Sequence, residues 1–148
     1  MDSARPVPHC DFDPEGLQTR VRIVVPGRLE AISPAVERVM AEARAMECSK
    51  GKEFEIETAL REALANAIRH GEGDIQLRAR VRSDSLRVEV SDQGPGLPGP
   101  LAGIARRSPT GPHGHGLSIA RESARRIGGN LASAPSPSGA KLVFTVPA

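Results

Sequence analysis

Between residues 53 and 90 the hydrophobic period of this chain changes once, and that change restricts the fold. From Glu53 to His70 apolar residues recur every three or four positions: Ile56, Ala59, Leu60, Ala63, Leu64, Ala67 and Ile68. That spacing puts them on one face of a helix. Gly71 and Gly73 stop it. Two alternating runs follow, Ile75-Leu77-Ala79-Val81 and Leu86-Val88-Val90, joined through Ser83-Asp84-Ser85. They predict a hairpin with one buried face. A one-sided helix beside a one-sided hairpin has to bury both stripes together, which means helices layered on a sheet.

The flanking segments extend this pattern. Arg20-Val-Arg-Ile-Val-Val-Pro26 predicts a first strand ended by proline. Ser33-Pro34 reads as an N-cap and first helical position, with Val36, Val39, Met40, Ala43 and Met46 marking a helix to about Glu47. Leu117, Ala120, Ala124 and Ile127 mark a third helix, ended by Gly128-Gly129. Leu131 opens a short strand, residues 135 to 139 turn, and Leu142, Phe144 and Val146 alternate in a last strand. The predicted fold class is a two-layer α/β (α+β) sandwich, a mixed β-sheet with helices on one face. Residues 1–19 are expected to form an N-terminal arm and residues 20–148 one domain. Within it, residues 97–113, rich in Pro and Gly and carrying Arg106 and Arg107, form a lid.

Composition narrows the function classes. The 148 residues suit one domain with a real core. Phe12, Phe54 and Phe144 are the only aromatics, so the core is aliphatic and platforms for stacking bases are lacking. The net charge is +2 with both signs interspersed, which argues against direct nucleic-acid binding. No apolar run is long enough to cross a membrane, and no signal-peptide pattern opens the chain. Cys10 and Cys48 fit no metal or redox spacing and are expected to be reduced thiols of a cytoplasmic protein.

Three short segments carry chemistry. Glu62, Asn66 and His70 are four residues apart, so they share one stripe of the second helix. Glu62 suits a general base, and Asn66 offers a neutral oxygen to Mg2+ already balanced by phosphate charge. Arg69 and His70, one turn on, face phosphate or serve the helix C-terminus. Asp92 ends a strand and precedes Gly94 and Gly96, where a carboxylate can read an adenine amino group while the glycines admit the base. Gly114-His115-Gly116-Leu117 leads into a helix whose free N–H groups suit phosphate, flanked by His113. The basic pair in the lid either closes on the γ-phosphate or is ordinary surface.

In this order the segments resemble the ATP-binding domain shared by histidine kinases and bacterial anti-sigma factor serine kinases. Glu62-Ala-Leu-Ala-Asn66-Ala-Ile-Arg-His70-Gly71 looks like the N box of the serine kinases, and Val90-Ser-Asp-Gln-Gly-Pro-Gly-Leu-Pro98 is similar to the G1 box. The stretch from Gly114 to Gly129 resembles the G2 box, in wording closer to sensor histidine kinases. The resemblance covers residues 20 to 147 and implies the Bergerat ATP-binding fold, with ATP and Mg2+ as cofactors. Carried over, Glu62 matches the general base and Asn66 the magnesium ligand. Asp92, Gly94 and Gly96 match the adenine-reading turn, and Gly114 and Gly116 the phosphate-binding turn. Pro112 stands where many histidine kinases have another Gly, and Gly139 is followed by Ala140 and Lys141 where a Thr is common.

Only about twenty residues precede the first strand, so the phosphoacceptor hairpin of a complete histidine kinase is not expected. The resemblance therefore points to an anti-sigma-type serine/threonine kinase. Its expected partners are a STAS-type anti-sigma-factor antagonist, which it phosphorylates, and a sigma factor, which it sequesters. A non-catalytic, ATP-gated binding module and a histidine-kinase-like domain acting on a separate His-bearing protein are the alternatives. The apolar stripe from Val36 to Met46 fits either a homodimer interface or packing on the sheet.

Overall fold

A computed structural model describes residues 16–71, 73–92, 112–133 and 141–148. The elements are β1 (Gln18–Val25), α1 (Ile32–Arg44), α2 (Glu53–His70), β2 (Ile75–Arg82), β3 (Ser85–Ser91), α3 (Pro112–Arg126), β4 (Asn130–Ser133) and β5 (Lys141–Val146). Single 3-10 turns at Leu29–Ala31 and Glu47–Ser49 bracket α1. The strands form one sheet in the order β1-β2-β3-β5-β4.

The two-layer α/β arrangement is as expected, but every strand pair in it is antiparallel rather than mixed. The connections explain this. Two helices between β1 and β2 reverse the chain twice, so β2 returns against β1, whereas a parallel pair needs a single crossover. α3 is such a single crossover, and β3 and β4 do run the same way. β5 pairs between them, antiparallel to both.

Alternate strand residues line the helix-covered face: Val21 and Val25 of β1, Ile75, Leu77 and Ala79 of β2, Leu86, Val88 and Val90 of β3, and Leu142, Phe144 and Val146 of β5. Against them pack Val36, Val39, Met40 and Ala43 of α1, and Ile56, Leu60, Leu64 and Ala67 of α2. Leu117, Ala120 and Ala124 of α3 complete the layer. Fully burying each Leu or Ile contributes about 1.5–3 kcal/mol. The α1 stripe is thus spent on the sheet. Of the two described phenylalanines, Phe144 is core, whereas Phe54 in the first turn of α2 is 76% exposed.

Helix ends depart from expectation in three places. Ser33 is not the N-cap of α1, because the preceding 3-10 turn feeds the helix from Ala31. Instead its hydroxyl accepts a hydrogen bond from Arg61 Nη1 at 3.0 Å. α1 ends at Arg44, where the buried Ser49 hydroxyl donates to the Ala43 carbonyl and, at 2.9 Å, to that of Met46. α3 begins at Pro112, inside the expected lid; residues 97–111 lie outside the described residues. Its other end follows the expected glycine pair. Gly128 has φ +74°, and Gly129 N–H donates to the Ala124 carbonyl at 2.8 Å. A side chain on Gly129 would strike the Thr145 carbonyl, so this glycine lets α3 turn tightly onto β5.

The first strand begins at Gln18, and Leu17 before it is buried. Cys48 is a free, buried thiol, and its burial, with Asp84 nearby, pushes its pKa up. Cys10 is outside the described residues. No helix among the described residues is long and apolar enough to cross a membrane.

Candidate functional site

The site grows from the C-terminal half of α2. Its apolar face is pinned to the sheet by Leu60, Leu64 and Ala67, which fixes the rotation of the helix. Asn66 lands at the margin of that face and is buried, 7% exposed, while Glu62 one turn earlier is half-buried. A buried amide beside a half-buried carboxylate is the donor set that a phosphate-balanced Mg2+ and an adjacent base require. Arg69 is exposed and His70 half-buried; both stand in the last turn, where positive charge favours the helix dipole.

Gly71 joins this helix end to the sheet. Its N–H closes on the Ala67 carbonyl at 2.8 Å. A Cβ at Gly71 would lie 2.6 Å from both Cβ and Cγ of Asp92. Only a residue without a side chain lets the end of α2 approach the end of β3 so closely. Asp92 is itself buried, 7% exposed. Asn66 and Asp92, 26 positions apart in the chain, are therefore brought to one corner of the fold.

The third component is α3, which packs along α2. Arg126 at its end pairs with Glu55 at the start of α2, Nη1 to Oε2 at 3.8 Å, so the two helices run in opposite directions. Eleven residues separate Glu55 from Asn66 and Arg126 from His115, ~16 Å along each axis, which directs the start of α3 toward Asn66. Here the local expectation is corrected. Gly114 and Gly116 do not form a turn before the helix but lie within its first two turns, because Pro112 has the φ of a first helical position. The N–H groups left without helical partners are then those of His113, Gly114 and His115. The Leu117 side chain lies in the core and anchors this end of α3.

Gly94, Gly96, Arg106 and Arg107 lie outside the described residues. Among the described residues, no three His, Cys, Asp or Glu side chains cluster as a metal cage. An apolar groove of about 380 Å3 between β1 and α1, lined by Ile23, Val25, Pro34 and Arg38 among others, contains none of the predicted site residues.

One neighbour of the site escaped the motif reading. Arg61, beside Glu62, donates through Nε to Glu57 Oε2 at 2.9 Å and through Nη1 to Ser33. It ties α2 to the first turn of α1 next to the proposed base. The Glu57/Arg61 spacing of four is visible in the sequence, whereas the contact with Ser33 spans 28 positions and is not.

Residues 25–145 match the histidine kinase-like ATPase domain family. Among solved structures, the chain resembles the histidine kinase domain of the blue-light activated histidine kinase from Erythrobacter litoralis EL346. The identity is 27% and the TM-score 0.51, over 65% of this chain and 44% of that one. It also resembles the mycobacterial sensor histidine kinase MprB, at 18% identity and TM-score 0.53, over 86% of this chain and 97% of that one. Full-length ShkA, solved in complex with AMPPNP, matches at 19% identity and TM-score 0.57, over 84% of this chain and 31% of that one. This chain thus spans less than half of the first and third of these, and the likenesses below 25% identity concern the fold. With the match covering most of the chain, and with Asn66 of α2 and Asp92 at the end of β3 meeting at one corner of an antiparallel sheet and its helical layer, this protein belongs to the histidine kinase-like ATPase domain family, for which ATP is the implied ligand.

Proposed function

We propose that this chain is a Mg-ATP-dependent serine/threonine protein kinase of the anti-sigma-factor type. In this reading it phosphorylates a STAS-type antagonist and, in its other state, sequesters a sigma factor. The observation that carries it is the graded burial along one stripe of α2, with Glu62 half-buried, Asn66 buried and Gly71 pressed on Asp92. Asn66 would hold Mg2+, and Asp92 would accept from the adenine amino group. The opening N–H groups of α3 would receive phosphate oxygens. Bound Mg2+ supplies charge neutralisation for the phosphates. Glu62, half-buried where Asn66 is buried, would take the proton of an incoming serine or threonine hydroxyl. The burial of Asn66 and Asp92 strengthens their polar contacts by excluding water.

The test supplies γ-labelled ATP and magnesium to the wild type or a Glu62→Gln variant, with a purified STAS-type protein or a native lysate. An acid-stable band on the partner, reduced by about 10²–10⁴-fold in the variant, is expected of a general base. ATP binding should be retained in both proteins. Unchanged labelling in the variant would remove Glu62 from catalysis. No labelling despite bound ATP would leave a nucleotide-gated binding module.

A second reading is favoured by the likeness of the G2-box stretch to sensor histidine kinases. There the domain transfers phosphate to a histidine on a separate protein. An acid-labile label distinguishes it.

A further inference from the structure

We propose that the outer face of the sheet, opposite the helices, is a docking surface for a carboxylate-rich segment of another protein. Strand alternation puts Arg22 of β1, Arg78, Arg80 and Arg82 of β2, Arg87 and Glu89 of β3, and Lys141 of β5 on this face. Six cations against one carboxylate make it five positive. The described residues together carry +4, so those of them off this face carry a net one negative charge. Charge is therefore segregated, although it looks well mixed along the sequence.

The arrangement also costs stability. The register sets Arg22 opposite Arg78 and Arg80 opposite Arg87. Like charges directly across strands are unfavourable. Glu89 compensates in part. It bonds Arg78 and lies 3.0 Å from Arg87 Nε, 3.5 Å from Lys141 Nζ and 3.6 Å from Arg80 Nη1. One carboxylate already sits among these cations, so their spacing suits a carboxylate, and the net positive charge attracts more of them. Arg22 and Arg82 are exposed, and Arg78, Arg87 and Lys141 are partly so.

Chemistry favours protein over nucleic acid as the occupant. No aromatic residue lies on this face among the described residues. A long polyanion would also run past the face onto described surface that has no net positive charge, whereas a short acidic segment would not. The docked partner would lie on the sheet side opposite the layer that carries Asn66.

The test is the anisotropy of a labelled oligoglutamate peptide at an ionic strength of about 0.15 M, with labelled duplex DNA as competitor class. Three proteins are compared: wild type, Arg22→Glu with Arg82→Glu, and Arg44→Glu with Lys50→Glu on the helical side. Binding of an ATP analogue checks that each is folded. The face variant is expected to weaken peptide binding by at least about tenfold and the helical-side control by less than about twofold. Arg22→Ala with Arg82→Ala, a milder change, should weaken it by about threefold if the charge-reversed protein fails to fold. Equal weakening by face and control variants, or no peptide binding by wild type, would overturn the proposal. Tighter binding of DNA than of peptide, lost in the face variant, would overturn it in favour of a nucleic-acid surface.

Discussion

Leu77 and Arg78 are neighbours in β2, yet one is closed into aliphatic packing and the other belongs to a charge cluster around Glu89. The same division runs through β1, β3 and β5. The inner face is held by burial, which has no direction and offers no charge for salt to screen or pH to titrate. The outer face is held by a buried carboxylate among cations, which depends on all three. The candidate nucleotide corner belongs to the inner layer: Asn66 and Asp92 sit at its margin, on elements packed into the core. A site needing fixed geometry stands on the side stabilised by shape, and the surface suited to an adjustable partner stands on the side stabilised by charge.

Truncating the inner face should have the largest effect. Leu77→Ala is expected to cost about 2–5 kcal/mol in denaturant unfolding, nearly unchanged between low and high salt. A comparable loss from Arg78→Ala that salt left unmoved would erase the distinction between the faces.

Glu89→Ala should cost about 2–3 kcal/mol, because it leaves Arg78, Arg80, Arg87 and Lys141 mutually repelling, and high salt should recover part of the loss. The same residue sets an acid limit. Burial alone would raise the Glu89 pKa, but the Arg78 hydrogen bonds and the charges of Arg78, Lys141 and Arg87 prevail and hold it below its ordinary value near 4.5. Its contribution is therefore fully present above about pH 4.5 and lost as pH falls through the lower folded value. In a pH series the wild type should lose stability on acidification more steeply than Glu89→Ala; parallel curves would show that other groups set the limit.

Gly71→Ala is expected to cost about 1–3 kcal/mol by pushing the end of α2 from Asp92. It should also weaken binding of an ATP analogue more than Leu77→Ala does, which titration calorimetry would read. The smallest change is expected at Arg44. Its pair with Glu37, at 3.4 Å and at least half exposed on both sides, should contribute less than about 0.5 kcal/mol in a double-mutant cycle.

Much of this was legible because local periodicity and burial agree. The α2 stripe from Ile56 to Ala67 and the Ile75–Val90 hairpin form as their spacing requires. The strand directions were less legible, because β5 reaches its place between β3 and β4 through pairing that no local pattern encodes. The start of α3 is not legible locally because glycine suggests a turn, whereas Pro112 and the anchoring of Leu117 extend the helix through both glycines.

By itself, the sequence determined what each segment is and which side chains it offers: the helix with Glu62 and Asn66, the strand leading to Asp92, and the aliphatic character of the core. Those depend on spacing and residue type within a few turns or strands. Tertiary structure alone decided that Gly71 would bring Asp92 against α2, that α3 would run back toward Asn66, and that cations scattered from Arg22 to Lys141 would share one face. These are contacts between distant positions, set by which surfaces can be buried together, and no short stretch of chain contains that information.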